Sequence, residues 1–179
     1  MNTPPDDGVW ITDSQDPETG APICLIRWGE HTTPVSVDDA FATARDLFAA
    51  AAHAETDKAL VEELIHGGGL DLQTAGVMLS RVRERRTPAP APGRPALRIE
   101  AVYGFRTCMP YVHIARGSHK AELTPDEART MGQHWLETAQ ASLLGVRFRY
   151  ALGDHLTPDT INTVFAAVQD IQLRKDGYR

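Results

Sequence analysis

Pro22-Ile23-Cys24-Leu25-Ile26-Arg27-Trp28-Gly29-Glu30-His31 and Pro110-Tyr111-Val112-His113-Ile114-Ala115-Arg116-Gly117-Ser118-His119 follow one plan, 88 positions apart. Each is a proline, a run rich in apolar residues, then Gly-x-His. Upstream, Val9-x-Ile11 answers to Leu97-x-Ile99; downstream, Asp39-Ala40 answers to Glu127-Ala128. Further on the offset falls to 86, where Gly67 pairs with Gly153, Leu70 with Leu156, Met78 with Val164, Leu79 with Phe165 and Val82 with Val168. A two-residue deletion between about 54 and 66 accounts for the change. Self-similarity on this scale predicts two copies of one supersecondary unit.

The alternation in each copy reads as strands, and the punctuation between them as turns. In copy one these are Val9–Thr12, Pro22–Trp28 and Thr32–Ser36, with Asp16-Pro17-Glu18-Thr19-Gly20 and Gly29-Glu30-His31 between them. In copy two they are Leu97–Phe105, Tyr111–Ala115 and Lys120–Leu123, with turns at Arg106–Met109 and Gly117–His119. On Pro22–Trp28, Cys24, Ile26 and Trp28 share one face. The expected plan is a three-stranded antiparallel meander in each half.

Helices follow. Thr124-Pro125-Asp126-Glu127 supplies an N-cap hydroxyl, a proline at the first helical position and a capping-box glutamate. Ser36-Val37-Asp38-Asp39 is its weaker counterpart. The stripes Ala40, Phe41, Ala44, Leu47, Phe48, Ala51 and Ala128, Met131, Trp135, Leu136, Ala139 have the spacing of helices buried along one side. Two more helices per copy are expected. Asp57–His66 and Leu143–Leu152 stop at Gly67 and Gly153, and Asp71–Arg85 and Thr157–Arg174 follow. The last pair carries the faces Ala75, Met78, Leu79, Val82 and Ile161, Val164, Phe165, Val168, Ile171.

The fold class is therefore α+β, a tandem of β-β-β-α-α-α units related by a pseudo-two-fold axis. Residues 1–8 form a disordered N-terminus, 9–86 repeat 1, 87–96 a proline-rich extended linker and 97–179 repeat 2. At about 80 residues each, the repeats are near the lower size for independent stability, so they are expected to pack as one globular unit.

Composition narrows the function classes. No run of 18 apolar residues exists to span a membrane, and the N-terminus has neither the basic nor the apolar segment of a secretory signal. The expected location is cytoplasmic, where Cys24 and Cys108 stay reduced and partly buried. The net charge of −6 is uneven: residues 1–86 carry 7 basic and 15 acidic side chains, residues 87–179 carry 11 and 9. An acidic half joined to a weakly basic one does not resemble a general nucleic-acid binder. It is compatible with a basic partner or with homo-oligomers.

Catalytic chemistry is not written in the chain. His31 and His119 recur at equivalent turns, yet no carboxylate or thiol spacing completes a metal site around them, nor around His53, His66, His113, His134 or His155. Gly67-Gly68-Gly69 lacks the Gly-Lys-Ser/Thr of a phosphate cradle and reads as a helix stop. No nucleophile motif is present, and Cys108 has no implied base. No enzyme activity, catalytic residue, cofactor or metal is expected.

Two surfaces remain. Trp10, Trp28, Tyr103 and Phe105, all on expected strands, are candidate partner-binding aromatics wherever the sheet core leaves them exposed. Arg81, Arg85, Arg86, Arg147, Arg149, Arg174 and Lys175 form the alternative, a nucleic-acid surface. There Arg147 and Arg149 alternate with Phe148 and Tyr150, and the 143–174 helices have the outline of a helix-turn-helix. Against it, the second helix begins Pro158-Asp159-Thr160, with little to read bases.

The stretch Val112–His119 through Leu123-Thr124-Pro125-Asp126-Glu127-Ala128-Arg129 resembles a motif of uncharacterised small proteins of actinobacteria, their phages and mobile elements. There a short hairpin runs into the same helix start. The resemblance covers about 30 residues of copy two; copy one departs from it with Val35-Ser36-Val37-Asp38-Asp39-Ala40-Phe41. It implies a cytoplasmic accessory protein of a phage or mobile element and carries no activity. The leading expectation is a non-enzymatic protein that engages a protein partner, such as a host factor, through the inter-repeat surface. A DNA-binding regulator is the alternative.

Overall fold

The meanders form as expected. The computed structural model describes residues 8–86, 96–153 and 155–175. The expectations for the N-terminal tail and the proline-rich linker lie outside the described residues, apart from Gly8 and Ala96. In chain order the elements are β1 (Val9–Gln15), β2 (Pro22–Trp28), β3 (His31–Ser36), α1 (Val37–His66), α2 (Leu72–Arg86), β4 (Arg98–Gly104), β5 (Met109–Arg116), β6 (His119–Leu123), α3 (Pro125–Gly153) and α4 (Pro158–Lys175). The class is α+β, with two three-stranded antiparallel sheets, β1-β2-β3 and β4-β5-β6, and four helices.

The two sheets share their register. Ile11 faces Ile26, which faces Thr33; Ile99 faces Ile114, which faces Ala121. Every partner in the second set lies 88 positions after its counterpart in the first. The tight turns into β3 and β6 place Gly29 at φ 60° and Gly117 at φ 59°, where a Cβ would be strained. The β1–β2 turn is held by Asp16, whose carboxylate accepts the backbone N–H groups of Glu18 (2.8 Å) and Thr19 (2.9 Å). Pro34 sits on edge strand β3, and Cys24, Ile26 and Trp28 form the buried face of β2.

The helices correct the expectation. Each half has two, not three, because the segments 57–66 and 143–152 continue the preceding helix into single elements of 30 and 29 residues. Ala51-Ala52-His53-Ala54-Glu55-Thr56 and Ala139-Gln140-Ala141-Ser142 contain neither glycine nor proline, so nothing ends the hydrogen-bond ladder there. The capping box forms as expected. Glu127 accepts from the Thr124 N–H at 2.7 Å, and the Glu127 N–H donates to the Thr124 hydroxyl at 3.2 Å. At the end of α1 the left-handed residue is Gly69 (φ 65°), not Gly67, and the Leu70 N–H closes on the Leu64 carbonyl at 3.0 Å.

The compact units do not follow the sequence halves. One comprises Met1–Val37 and Glu137–Arg179; the other is Asp38–Leu136. In the first, the β1-β2-β3 sheet is joined by the last part of α3 and by α4. Buried Ser142 of α3 points its hydroxyl at the carbonyls of Ser14 (3.0 Å) and Ile23 (2.8 Å), which face each other across β1 and β2.

In the second unit, the β4-β5-β6 sheet is joined by α1, α2 and the start of α3. Val61 of α1, Ala75 and Leu79 of α2, and Tyr103 of β4 form one buried cluster, flanked by Leu60, Leu64 and Ile65. Gly132 of α3 lets the helix close on α1, since a Cβ there would lie 3.2 Å from the Ala44 carbonyl oxygen. Glu55 of α1 and Arg129 of α3 make a two-pronged ion pair beside that crossing. Each sheet is thus completed by helical segments from the other half of the chain.

Candidate functional site

Helix α2 exposes part of its apolar stripe, and its orientation follows from three anchors. Asp71 caps its N-terminus, accepting the Thr74 N–H at 2.8 Å. Ala75 and Leu79 enter the core beside Val61 and Tyr103. Arg83 reaches the wholly buried Asp57 of α1, with Nε donating to Oδ2 at 2.7 Å and a second guanidinium nitrogen at 2.7 Å. On the neighbouring turn the Phe105 ring lies over Gly76, where a Cβ would come within 3.1 Å of it.

These anchors divide the apolar stripe Ala75, Met78, Leu79, Val82. Ala75 and Leu79 are inside; Met78 is 41 % and Val82 42 % exposed, and Val77 beside them is 50 % exposed. The stripe is wider than the core it meets, and the Arg83–Asp57 pair turns the 79/83 side inward. Met78, Arg81, Val82 and Arg85 then stand at i, i+3, i+4 and i+7 on one outward face. Arg81 and Arg85 are exposed and have no ion-pair partner among the described residues. Glu84, the acid of this helix, stands at i+3 from Arg81, about 60° around the axis, without an ion pair to it, and lies about 100° or more from Arg85 and Met78.

The aromatic candidates separate in the same way. Trp28 and Tyr103 are buried and pack the two cores, whereas Trp10 on edge strand β1 and Phe105 in the β4–β5 turn are partly exposed. Tyr103 meets Phe105 edge to face, ring centroids 5.1 Å apart. Its phenol is pushed up to about 12, first by burial and then by a hydrogen bond with Cys108. Cys108 itself is exposed at φ 54°, contrary to the expectation of two partly buried thiols. Cys24 is buried, which pushes its thiol up to about 11, with Asp13 directly across the ladder adding to the shift.

The expected nucleic-acid face is brought together only in part. The separate helix of 143–152 does not exist, so the helix-turn-helix outline is replaced by the end of a 29-residue helix followed by α4. Arg147 is exposed beside exposed Phe148 and Tyr150. Arg149 is half-buried, with its guanidinium carbon 4.9 Å from the Phe165 ring centre, and Phe148 meets the same ring edge to face. The side chains of Arg86, Arg174 and Lys175 lie outside the described residues.

His31 and His119, expected in the turns, are instead the first residues of β3 and β6, paired across the ladders with Trp28 and Arg116, and His113 pairs with Glu122 across the β5–β6 ladder at 2.8 Å. Among the described residues, no three His, Cys, Asp or Glu side chains converge as metal ligands, and no helix is long and apolar enough to cross a membrane. Sequence reasoning missed the Asp57–Arg83 pair. Its signal is present: Asp57 stands at i with apolar Val61 and Leu64 at i+4 and i+7, an acid on a buried face. No protein-family description, curated protein or solved structure matches the chain.

Proposed function

We propose that this is a non-catalytic binding protein whose target is another protein, and that α2 presents the docking face. One observation carries the reading: Met78 and Val82, one turn apart, stand exposed on a helix anchored on its other side by a core, an ion pair and an aromatic turn, and Val77 is exposed about 100° around the axis from Met78. Apolar side chains held outward by a rigid support suit protein recognition better than solvation. The chain is read as a duplicated β-β-β-α-α unit. Supporting this are the common 88-residue offset of both ladders and the matched glycine turns. The resemblance of residues 112–129 suggests an accessory role in an actinobacterial phage or mobile element.

The test is chemical cross-linking of full-length protein in its native host, comparing wild type with Met78→Ser/Val82→Ser. The expected outcome is a nuclease-resistant cross-linked protein lost in the variant, with unchanged thermal unfolding. A cross-linking pattern identical in both would remove α2 from the docking role. A second reading, nucleic-acid binding, is favoured by Arg147 exposed beside exposed Phe148 and Tyr150. It predicts steeply salt-dependent binding of single strands, abolished by Arg147→Ala/Arg149→Ala.

A further inference from the structure

We infer that the partner's docking segment is an acidic amphipathic helix, laid along Met78, Arg81, Val82 and Arg85; this rests on the reading of α2 as the docking face. Charge complementarity selects this occupant. Met78 and Val82 are one helical turn apart, and so are Arg81 and Arg85, so apolar and cationic rows run side by side along the same exposed strip. A ligand that buries the first row must bring its own edge against the second. Two guanidiniums without an ion-pair partner among the described residues select carboxylates at that edge, and arginine's planar fork suits them.

Two other occupants fit less well. A second copy docking α2 on α2 through a two-fold axis would set Arg81 and Arg85 of one chain against the same pair of the other. A nucleic-acid strand would meet the arginines but leave Met78 and Val82 against phosphate and water. A helical ligand also matches the geometry, since its own i, i+3, i+4, i+7 positions repeat with the spacing of this face.

A random-peptide display selection against the full-length protein tests the inference and requires no identified partner. Enriched peptides should carry apolar residues at helical spacing with an excess of Asp and Glu. A synthetic copy of the best one should lose at least tenfold in affinity for Met78→Ser/Val82→Ser and for Arg81→Glu/Arg85→Glu. A version with its acids changed to lysine should regain binding to the Arg81→Glu/Arg85→Glu protein, a rescue that misfolding cannot imitate. Thermal unfolding of each variant is measured alongside.

Neutral or basic peptides that respond to Met78→Ser/Val82→Ser but not to Arg81→Glu/Arg85→Glu would overturn the acidic ligand while keeping the docking face. Peptides indifferent to both variants, or no enrichment, would overturn both readings. A DNA or RNA oligonucleotide that displaces the peptide and depends on Arg81 and Arg85 but not on Met78 and Val82 would assign the face to nucleic acid and overturn the inference.

Discussion

Replacing Arg83 with methionine should be among the most damaging single changes in the chain, although Arg83 is itself partly exposed. Its guanidinium approaches Asp57 Oδ2 with two nitrogens at 2.7 Å, and Asp57 has no accessible surface. Methionine fills much of the aliphatic volume of arginine, so packing changes little while the countercharge is lost. Removing one partner of a buried pair costs about 3–5 kcal/mol, because the remaining charge stays out of water. Against a typical total of about 5–15 kcal/mol, that is roughly a fifth or more of the stability. In a chain of this size it lowers Tm by roughly 6–20 °C.

The decisive comparison is the double variant Asp57→Leu/Arg83→Met. It removes both charges and should recover to within about 2 kcal/mol of the parent, since a well-packed apolar replacement of a buried pair is often neutral. Urea unfolding followed by circular dichroism, with the fluorescence of buried Trp135 as a second probe, reads all four corners of the cycle. A cost of under about 1 kcal/mol for Arg83→Met, the worth of a surface pair, would refute a buried, mutually dependent pair. A double variant no more stable than Arg83→Met alone would refute it equally.

Other consequences are open to measurement. Ser142→Val, which removes the hydroxyl shared by the Ser14 and Ile23 carbonyls, should cost about 1–3 kcal/mol and speed amide exchange in β1 and β2 before β5; uniform exchange would contradict it. Gly132→Leu should destabilise by about 1–3 kcal/mol despite better helix propensity, because the side chain meets the Ala44 carbonyl and the Phe48 ring; a stabilised variant would refute the close crossing. Acid should erode stability as pH falls below the ordinary carboxylate values of 3.8 and 4.5, since backbone N–H groups hold Asp16, Asp71 and Glu127 low, and Arg129 holds Glu55 low. At the alkaline end, burial raises Cys24 from 9.0 to about 11, so its contribution is full below pH 9 and lost towards 11. Cys24→Val should make that limb shallower between pH 9 and 11, leaving the loss that Tyr103, raised from 10.0 to about 12, adds at higher pH. Finally, residues 1–86 and 96–179 made as separate chains should each be poorly folded alone and gain structure on mixing, because each compact unit draws on both; two independently cooperative fragments would contradict the division.

The parts legible in the sequence are those whose cause is local. The strand order, the Asp16–Gly20 turn, the paired glycines at 29 and 117, and the capped start at Thr124 arise from interactions within a few residues, so neighbouring letters suffice. Two expectations fail for related reasons. A weakening of the apolar pattern suggests a helix end, whereas a helix stops only where a breaker or cap stops it, and 51–56 contain none. Periodicity treats the apolar face of α2 as a single buried stripe. The buried Asp57–Arg83 pair, 26 positions apart in the chain, instead fixes the rotation of the helix and turns Met78 and Val82 outward.

By itself the sequence determined two antiparallel meanders in matching register, each followed by helices, because hydropathy period, turn residues and caps act over one or two turns of chain. Which helical segments complete which sheet was decided only in three dimensions. The alanine-rich faces of α1 and α3 are chemically alike and would suit either partner. Long-range contacts make the choice: Ser142 on the Ser14 and Ile23 carbonyls, and Val61 with Leu79 against Tyr103. A hydroxyl or a ring selects its partner by position in space, a property that no neighbouring residue in the chain encodes.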